Sequence, residues 1–279
     1  APGYGGYWRN LSSIIEIDLS NPYELSIVNT LTLDGSYVSA RVVNGVARIV
    51  MSTQMNQLPF VYPQNEAGEE NAEKFNKEVI SGTALEDWLP GYFFESSNGA
   101  SSQGLIADCS NIHYPTEFAG FSTLSVVTVG LDSSLETPDA TAVLADGQTV
   151  YASNSNLYVA TTRYLDPILF ENDESLWEDA SDNYATSIHQ FDVSDLDATT
   201  YMASGSVDGH LLNQFAMSEH EGHLRVATTL GGPWGFRDDS ESKVSVLVRN
   251  GSDLEIVGEV GDMGRGERIF SVRFVGDIG

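Results

Sequence analysis

Apolar and polar residues alternate in short runs along most of this chain, and the runs come in pairs separated by turn residues. Ile14, Ile15, Ile17 and Leu19 predict a strand that stops at Asn21-Pro22, since proline has no ladder donor. Leu25–Leu33 predicts a second strand, closed by Asp34-Gly35. Tyr37–Val43 and Val46–Met51 flank Asn44-Gly45, the dipeptide best suited to a two-residue hairpin turn. Leu211–Ser218 and Leu224–Thr229 predict another hairpin, folded about His220, Glu221 and Gly222, with Leu224, Val226 and Thr228 alternating with Arg225 and Ala227. Its ending recurs: Val226-Ala227-Thr228-Thr229 repeats Val159-Ala160-Thr161-Thr162, and Val50-Met51-Ser52-Thr53 is a looser copy.

The recurrence divides the chain into blade-like repeats over about 12–53, 118–164, 185–231 and 243–279. Four strands in about forty residues is the size of one β-propeller blade. In the second repeat Leu124, Val126 and Val127 begin a strand, Ala140–Leu144 continues it, and Val150-Tyr151-Ala152 pairs with Leu157-Tyr158-Val159. The third opens on His189, Phe191 and Val193 along one face and passes through Tyr201–Val207. The fourth carries Val244, Val246 and Val248, turns at Asn250-Gly251, continues at Leu254–Val257 and reaches Ile269–Val275. With Gly276-Asp277 as its last turn, it is expected to lack an outermost strand and to leave a sheet edge exposed.

The stretch 54–107 breaks the pattern and reads as an insertion between blades. Glu66–Ile80 predicts a helix, with Glu70 and Glu73 each four residues before a lysine, and Phe75 and Val79 as a short apolar stripe. Thr83 is expected to cap a further turn through Asp87, and Gly99, Ser101, Ser102 and Gly104 predict a flexible loop. Between the second and third repeats, 166–184 is an acidic connector, expected as solvated loop. The fold class is therefore all-β, an incomplete propeller of about four consecutive four-stranded blades with one part-helical insertion.

Composition changes the picture on the functional side. Forty acidic against 13 basic residues give a net charge of −27, a field that repels nucleic-acid phosphates and anionic membranes. Nucleic-acid binding is excluded on that ground, and a surface so rich in carboxylates suits a secreted protein. No apolar run approaches the ~18 residues of a membrane span. Cys109 is the single cysteine, so no intrachain disulfide forms, and the residue is expected as a small buried side chain. The opening at Ala1-Pro2-Gly3, without methionine, reads as that of an excised piece.

Candidate chemistry is sparse, and no catalytic residue is assigned. His220-Glu221-Gly222-His223 has one residue fewer between its histidines than the H-E-x-x-H zinc signature and sits in a turn, not on a helix. His220 and His223, with His210 or an outside carboxylate, are metal candidates against the simpler reading of a solvated hairpin tip. Asp192, Asp195 and Asp197 offer the oxygens that calcium prefers but lack the glycine and distal glutamate of an EF-hand, and turn formation accounts for them equally. Arg225 is expected to pair across strands. Gly261, Gly264 and Gly266 lack the lysine of a phosphate loop, and no G-x-S-x-G elbow or sialidase-type S-x-D-x-G-x-x-W box occurs.

The motifs Gly205-x-Val207-x-Gly209, Leu212-Asn213-Gln214-Phe215, Glu219 and Leu224-Arg225-Val226-Ala227-Thr228-Thr229, together with the run Gly266–Asp277, Trp88-Leu89-Pro90 and Tyr151-Ala152-Ser153, carry a family likeness. They resemble the secreted β-propeller domain family of bacteria and archaea, itself distantly similar to WD40 propellers. The resemblance implies further blades of the parent chain on both sides and a secreted or extracytoplasmic location, and it brings no catalytic residues. The functional expectation is a non-catalytic extracellular binding or scaffold module for a protein or glycan ligand, with no cofactor and no insertion into membranes. The alternatives are a hydrolase whose carboxylates gather at the propeller mouth, and an adhesion module stabilised by calcium.

Overall fold

A computed structural model describes residues 10–54, 58–63, 66–162, 184–230 and 240–279. The acidic connector expected over 166–184 lies outside these residues except for Tyr184. In chain order the strands begin with β1 (Leu11–Asp18), β2 (Ser26–Asp34), β3 (Ser36–Val43) and β4 (Val46–Gln54). Helix α1 (Glu66–Ser81) precedes β5 (Gly91–Ser96), β6 (Ser101–Leu105) and β7 (Ile112–His113). Then come β8 (Ser122–Gly130), β9 (Asp139–Leu144), β10 (Thr149–Ala152), β11 (Asn156–Thr162), β12 (Ala185–Asp192) and β13 (Thr200–Asp208). The last are β14 (His210–Leu211), β15 (Met217–His220), β16 (His223–Leu230), β17 (Glu241–Asn250) and β18 (Asp253–Met263).

The chain divides into two compact units, one of Ala1–Ser36, Thr53–Ile106 and Ser134–Pro138, the other of Tyr37–Ser52, Ala107–Ser133 and Asp139–Gly279. In the first, the sheet order is β1-β2-β5-β6. Leu31 and Leu33, two apart on β2, are buried on one face as the alternation predicts. Glu16 on β1 accepts from Leu135 N at 2.9 Å and Asn29 Nδ2 at 2.6 Å, and these bonds hold its carboxyl below the usual range. The helix spans the predicted residues and carries the Glu73–Lys77 pair. Thr83 faces back instead of capping the next turn: its hydroxyl donates to Ile80 O at 2.7 Å and accepts from Trp88 Nε1 at 2.7 Å. The loop expected over 99–104 is instead a tight turn, with Gly99 at φ 87°, that leads into β6. Tyr92, Phe93 and Phe94 give β5 a strand pattern that pairs with Ser101–Leu105, so the inserted stretch completes the sheet begun by β1 and β2.

In the second unit, each four-stranded group joins the last hairpin of one sequence repeat to the first hairpin of the next. β3 and β4 pair onward to β8 and β9, with β7 parallel to β9. β10 and β11 pair onward to β12 and β13, and β15 and β16 pair onward to β17 and β18. The repeat frame read from the sequence is thus two strands out of step with the sheets. The reason lies in the recurring strand ending. β4, β11 and β16 are interior strands with a neighbour on each side, and Val50-Met51, Val159–Thr161 and Val226–Thr229 are buried in succession. On β11, Leu157 and Val159 belong to one core cluster while Tyr158 and Ala160 belong to the next, so its two faces feed two cores.

The last two groups meet at a single parallel bridge, Ser204 to Asp253, which places β13 beside β18. Beyond β18 the expected strand Ile269–Val275 forms no ladder, and only Val275 makes an isolated bridge. Side-chain contacts take the place of a ladder: Ile269 N donates to Thr229 Oγ1 at 3.1 Å, and Arg225 lies over Phe274. The predicted turn at Gly276-Asp277 is present, closed by a bridge from Val275 to Ile278.

The β13–β18 approach leaves no room for a side chain at Gly205, where a Cβ would fall 2.4 Å from Leu254 O. Gly205→Ala is expected to lower the unfolding free energy by about 1–3 kcal/mol in a urea titration. Gly258→Ala should be close to neutral, because this β18 position has open space within 4 Å of where a Cβ would stand. Equal losses in the two variants would contradict the close approach.

Candidate functional site

The hairpin of β15 and β16 turns through Glu221 and Gly222, at φ 49° and 76°, the left-handed pair that a two-residue turn requires. Alternation along β15 then buries Met217 and aims Glu219 inward two residues later. Glu219 docks on the β10–β11 hairpin. Its N–H donates to the Tyr151 hydroxyl at 2.8 Å. Its carboxylate accepts from Ser153 Oγ at 2.7 Å, Tyr158 Oη at 3.2 Å, and Asn156 Nδ2 at 3.0 and 3.1 Å. Gln190 Nε2 in turn donates to Asn156 Oδ1 at 2.8 Å. Burial, and then the adjacent Glu219 charge, push the Tyr158 hydroxyl far above its ordinary value, so it remains a donor.

This docking leaves a cavity of about 390 Å3 between β10 and β15. Val150, Tyr151 and Ala152 form one side, and Met217 and Ser218 the other. Gln214 and Phe215 close one end from a short helical turn set by Asn213, whose Oδ1 accepts from Phe215 N at 2.9 Å. Arg273 and Phe274 complete the lining. Arg41 enters from β3: Nη1 donates to Ala40 O at 2.8 Å and to Ser39 Oγ, and Nη2 to Val150 O at 2.7 Å and to Gln214 Oε1. The Arg273 guanidinium lies 4.1 Å from the centre of the Phe215 ring, a cation–π contact. Arg225 lies 4.9 Å from the Phe274 ring centre and donates to Ser218 Oγ at 2.9 Å and Gly276 O at 2.7 Å, so its expected cross-strand pairing is present.

A family model described as Beta propeller domain matches residues 4–279. The chain belongs to the β-propeller domain family. Among relatives, this propeller is 26% identical to an uncharacterised protein of Methanocaldococcus jannaschii over 97% of its own length and 46% of the relative's. It is 37% identical to an uncharacterised protein of Archaeoglobus fulgidus over 39% of its own length and 16% of the relative's. The chain therefore spans about half the length of the first relative and less of the second. No solved structure matches it.

In the propeller two of the three candidate aspartates, Asp192 and Asp195, have carboxylates occupied by their own loop, and Asp197 contributes its N–H. Asp192 Oδ1 accepts from Ser194 N at 2.8 Å and Ser194 Oγ at 2.6 Å, and Asp195 Oδ1 accepts from Asp197 N at 2.9 Å. The loop carbonyls Asp195 O and Ala198 O receive Nη2 of Arg48, a β4 residue only 2% exposed. Burial lowers the pKa of Arg48, while Asp139, Asp195 and Asp197 oppose the shift. The acidic loop thus surrounds a cation that the chain itself supplies. His220 and His223 face each other as the closing pair of the hairpin but bond apart, His220 Nε2 to Asp277 Oδ1 at 2.8 Å and His223 Nδ1 to Glu221 O at 3.0 Å. His210 lies on β14, opposite Thr229. Among the described residues no group of three or more His, Cys, Asp or Glu is placed to hold a metal ion. Cys109, expected buried, is exposed, because it begins a short surface turn after Asp108.

Sequence reasoning missed the cavity and a buried stack. His189 on β12 is fully buried, with Nδ1 3.2 Å from the Tyr201 hydroxyl and Nε2 lacking a partner; His113 stacks on the other side of the contact, its ring centre 5.1 Å from that of Tyr201. These residues are far apart in sequence and no local pattern joins them. Glu219 did leave a signal, as a carboxylate two residues from buried Met217 on an alternating strand.

Burial lowers the His189 pKa from 6.5 to about 4. The unfolded chain takes up this proton as pH falls through 6.5, whereas the folded state resists it until about 4. The contribution to stability is therefore fully present above 6.5, declines between 6.5 and about 4, and is lost below. A shift of this size corresponds to about 3 kcal/mol. Unfolding free energies measured across that window should fall more steeply for the natural chain than for His189→Gln, by about that amount. Parallel profiles would contradict a neutral, buried His189.

Proposed function

We propose that this propeller is a non-catalytic binding module working outside the cytoplasm, with the cavity between β10 and β15 as its ligand site. The observation that carries the reading is the chemistry of the cavity wall. Among the described residues that line it there is no Asp, Glu, His or Cys, so the wall offers binding groups without a general base. Ser218 Oγ accepts from Arg225, and the His220 ring nitrogen on the same strand bonds Asp277 and not this hydroxyl. The nearest carboxylate in sequence, Glu219, is taken up by the β10–β11 hairpin.

The strongly acidic composition supports the extracytoplasmic part of the reading, since carboxylates keep such a surface hydrated. A protein or a glycan would supply the ligand group, and further blades of a longer parent would extend the scaffold. One observation favours a hydrolytic alternative: partial desolvation raises the pKa of Asp139, with Asp195 adding to the rise against the pull of Arg48. Those groups surround Arg48 and are not part of the cavity wall.

Incubation with chromogenic glycosides, a chromogenic ester and a fluorogenic peptide should release no product above the rate in buffer. Turnover abolished by Asp139→Asn or Asp195→Asn would overturn the reading in favour of a hydrolase.

A further inference from the structure

Three arginines converge on the cavity in a chain that has 40 acidic residues for 13 basic ones. Arg41 and Arg273 line it, and Arg225 touches two of its lining residues, Ser218 and Phe274. Several other cations of this chain sit against carboxylates, as Lys77 does with Glu73, Lys243 with Asp208 and Glu259, and Arg265 with Asp262, whereas Arg48 donates to carbonyls. Among the described residues, the partners of the three cavity arginines are all neutral. Arg41 donates to two carbonyls, a hydroxyl and an amide oxygen. Arg225 donates to a hydroxyl and a carbonyl, and its buried Nε has no acceptor. Arg273 donates to Val272 O and lies on a phenyl ring. Neutral acceptors orient a guanidinium without cancelling its charge, so among the described residues these three charges have no paired carboxylate.

The same cavity has an apolar body. Val150, Ala152 and Met217 contribute aliphatic surface, and the Phe215 and Phe274 rings, which also line it, lie beneath the Arg273 and Arg225 guanidiniums. Its volume of about 390 Å3 lies at the small end of ligand pockets, suited to one ring with a short substituent. An anion without an apolar part would leave this surface wet, and a neutral ring would leave the arginines without a counter-charge.

We infer that this cavity binds a small aromatic carboxylate, a single ring bearing one anionic group. The inference rests on the reading of the domain as a binding module and names the chemistry of its ligand. Arg41, with both terminal nitrogens already donating, supplies fixed charge. Arg273 retains the fork of N–H groups that matches a carboxylate. Phe215 supplies a face for the ring.

Benzoate, titrated calorimetrically into the full 279-residue chain, is the probe. Benzamide, acetate and inorganic phosphate serve as comparisons. Saturable binding of benzoate, with benzamide and acetate at least about tenfold weaker, is expected. Arg273→Gln, at an exposed position, should weaken benzoate by about ten- to a hundredfold while leaving the melting temperature unchanged. Phe215→Ala should weaken benzoate and leave the feeble response to acetate as it was. No saturable heat from benzoate with a folded chain would overturn the inference. So would acetate or phosphate binding as tightly as benzoate, since the site would then recognise charge alone. Either failure leaves the binding-module reading standing, whereas turnover of a chromogenic substrate would defeat that reading and not this one.

Discussion

The half-buried carboxylate of Glu219 is the constraint on which the seam between two groups of the second unit depends. A carboxylate taken out of water must find charge-assisted donors, and Ser153, Asn156 and Tyr158 all supply them from one hairpin. Because the donors sit on β11 and the turn before it while Glu219 sits on β15, the bonds fix where one four-stranded group lies against the next. The Tyr151–Glu219 contact sets the same seam from the backbone side. The cavity is what this docking leaves between Val150–Ala152 and Met217–Ser218, so its shape follows from the position of one carboxylate.

Apolar packing explains why the groups exist, and polar stitches explain how they are ordered. β11 feeds Leu157 and Val159 to one core and Tyr158 and Ala160 to another, which requires a sheet on each side. Arg48 then reaches from β4 into the loop after β12, and Arg41 from β3 to the β10 backbone. In both cases the guanidinium ends on neutral acceptors supplied by another group. Such bonds are directional, so they select one arrangement of sheets whose apolar faces alone would pack in several ways.

The sequence revealed strands and turns well because their signals are local. Asn44-Gly45, Glu221-Gly222 and the alternation of Leu224, Val226 and Thr228 each act within a few residues, and the helix at Glu66–Ser81 was written in its own charges. Grouping into sheets was less legible. The repeat frame beginning at Ser12 was plausible, but pairing is decided by which strands bury both faces, and the Val-Ala-Thr-Thr strands prove to be interior ones. The segment Ile269–Val275 has strand composition yet no ladder, because composition does not supply a neighbour. The candidate site was the least legible part. Arg41, Val150, Gln214 and Arg273 meet only in the folded chain, whereas His223, Asp192 and Asp195 bond within their own turns and His220 bonds Asp277.

The central claim, that Glu219 and the β10–β11 hairpin act as one unit, is tested most directly by a double-mutant cycle. Unfolding free energies of the natural chain, Glu219→Ala, Asn156→Ala and the double variant give the coupling between the two side chains. A coupling of at least about 1 kcal/mol is predicted, because either single change removes the same charge-assisted pair of bonds between Asn156 Nδ2 and the Glu219 carboxylate. Losses that add to within about 0.5 kcal/mol would contradict the account.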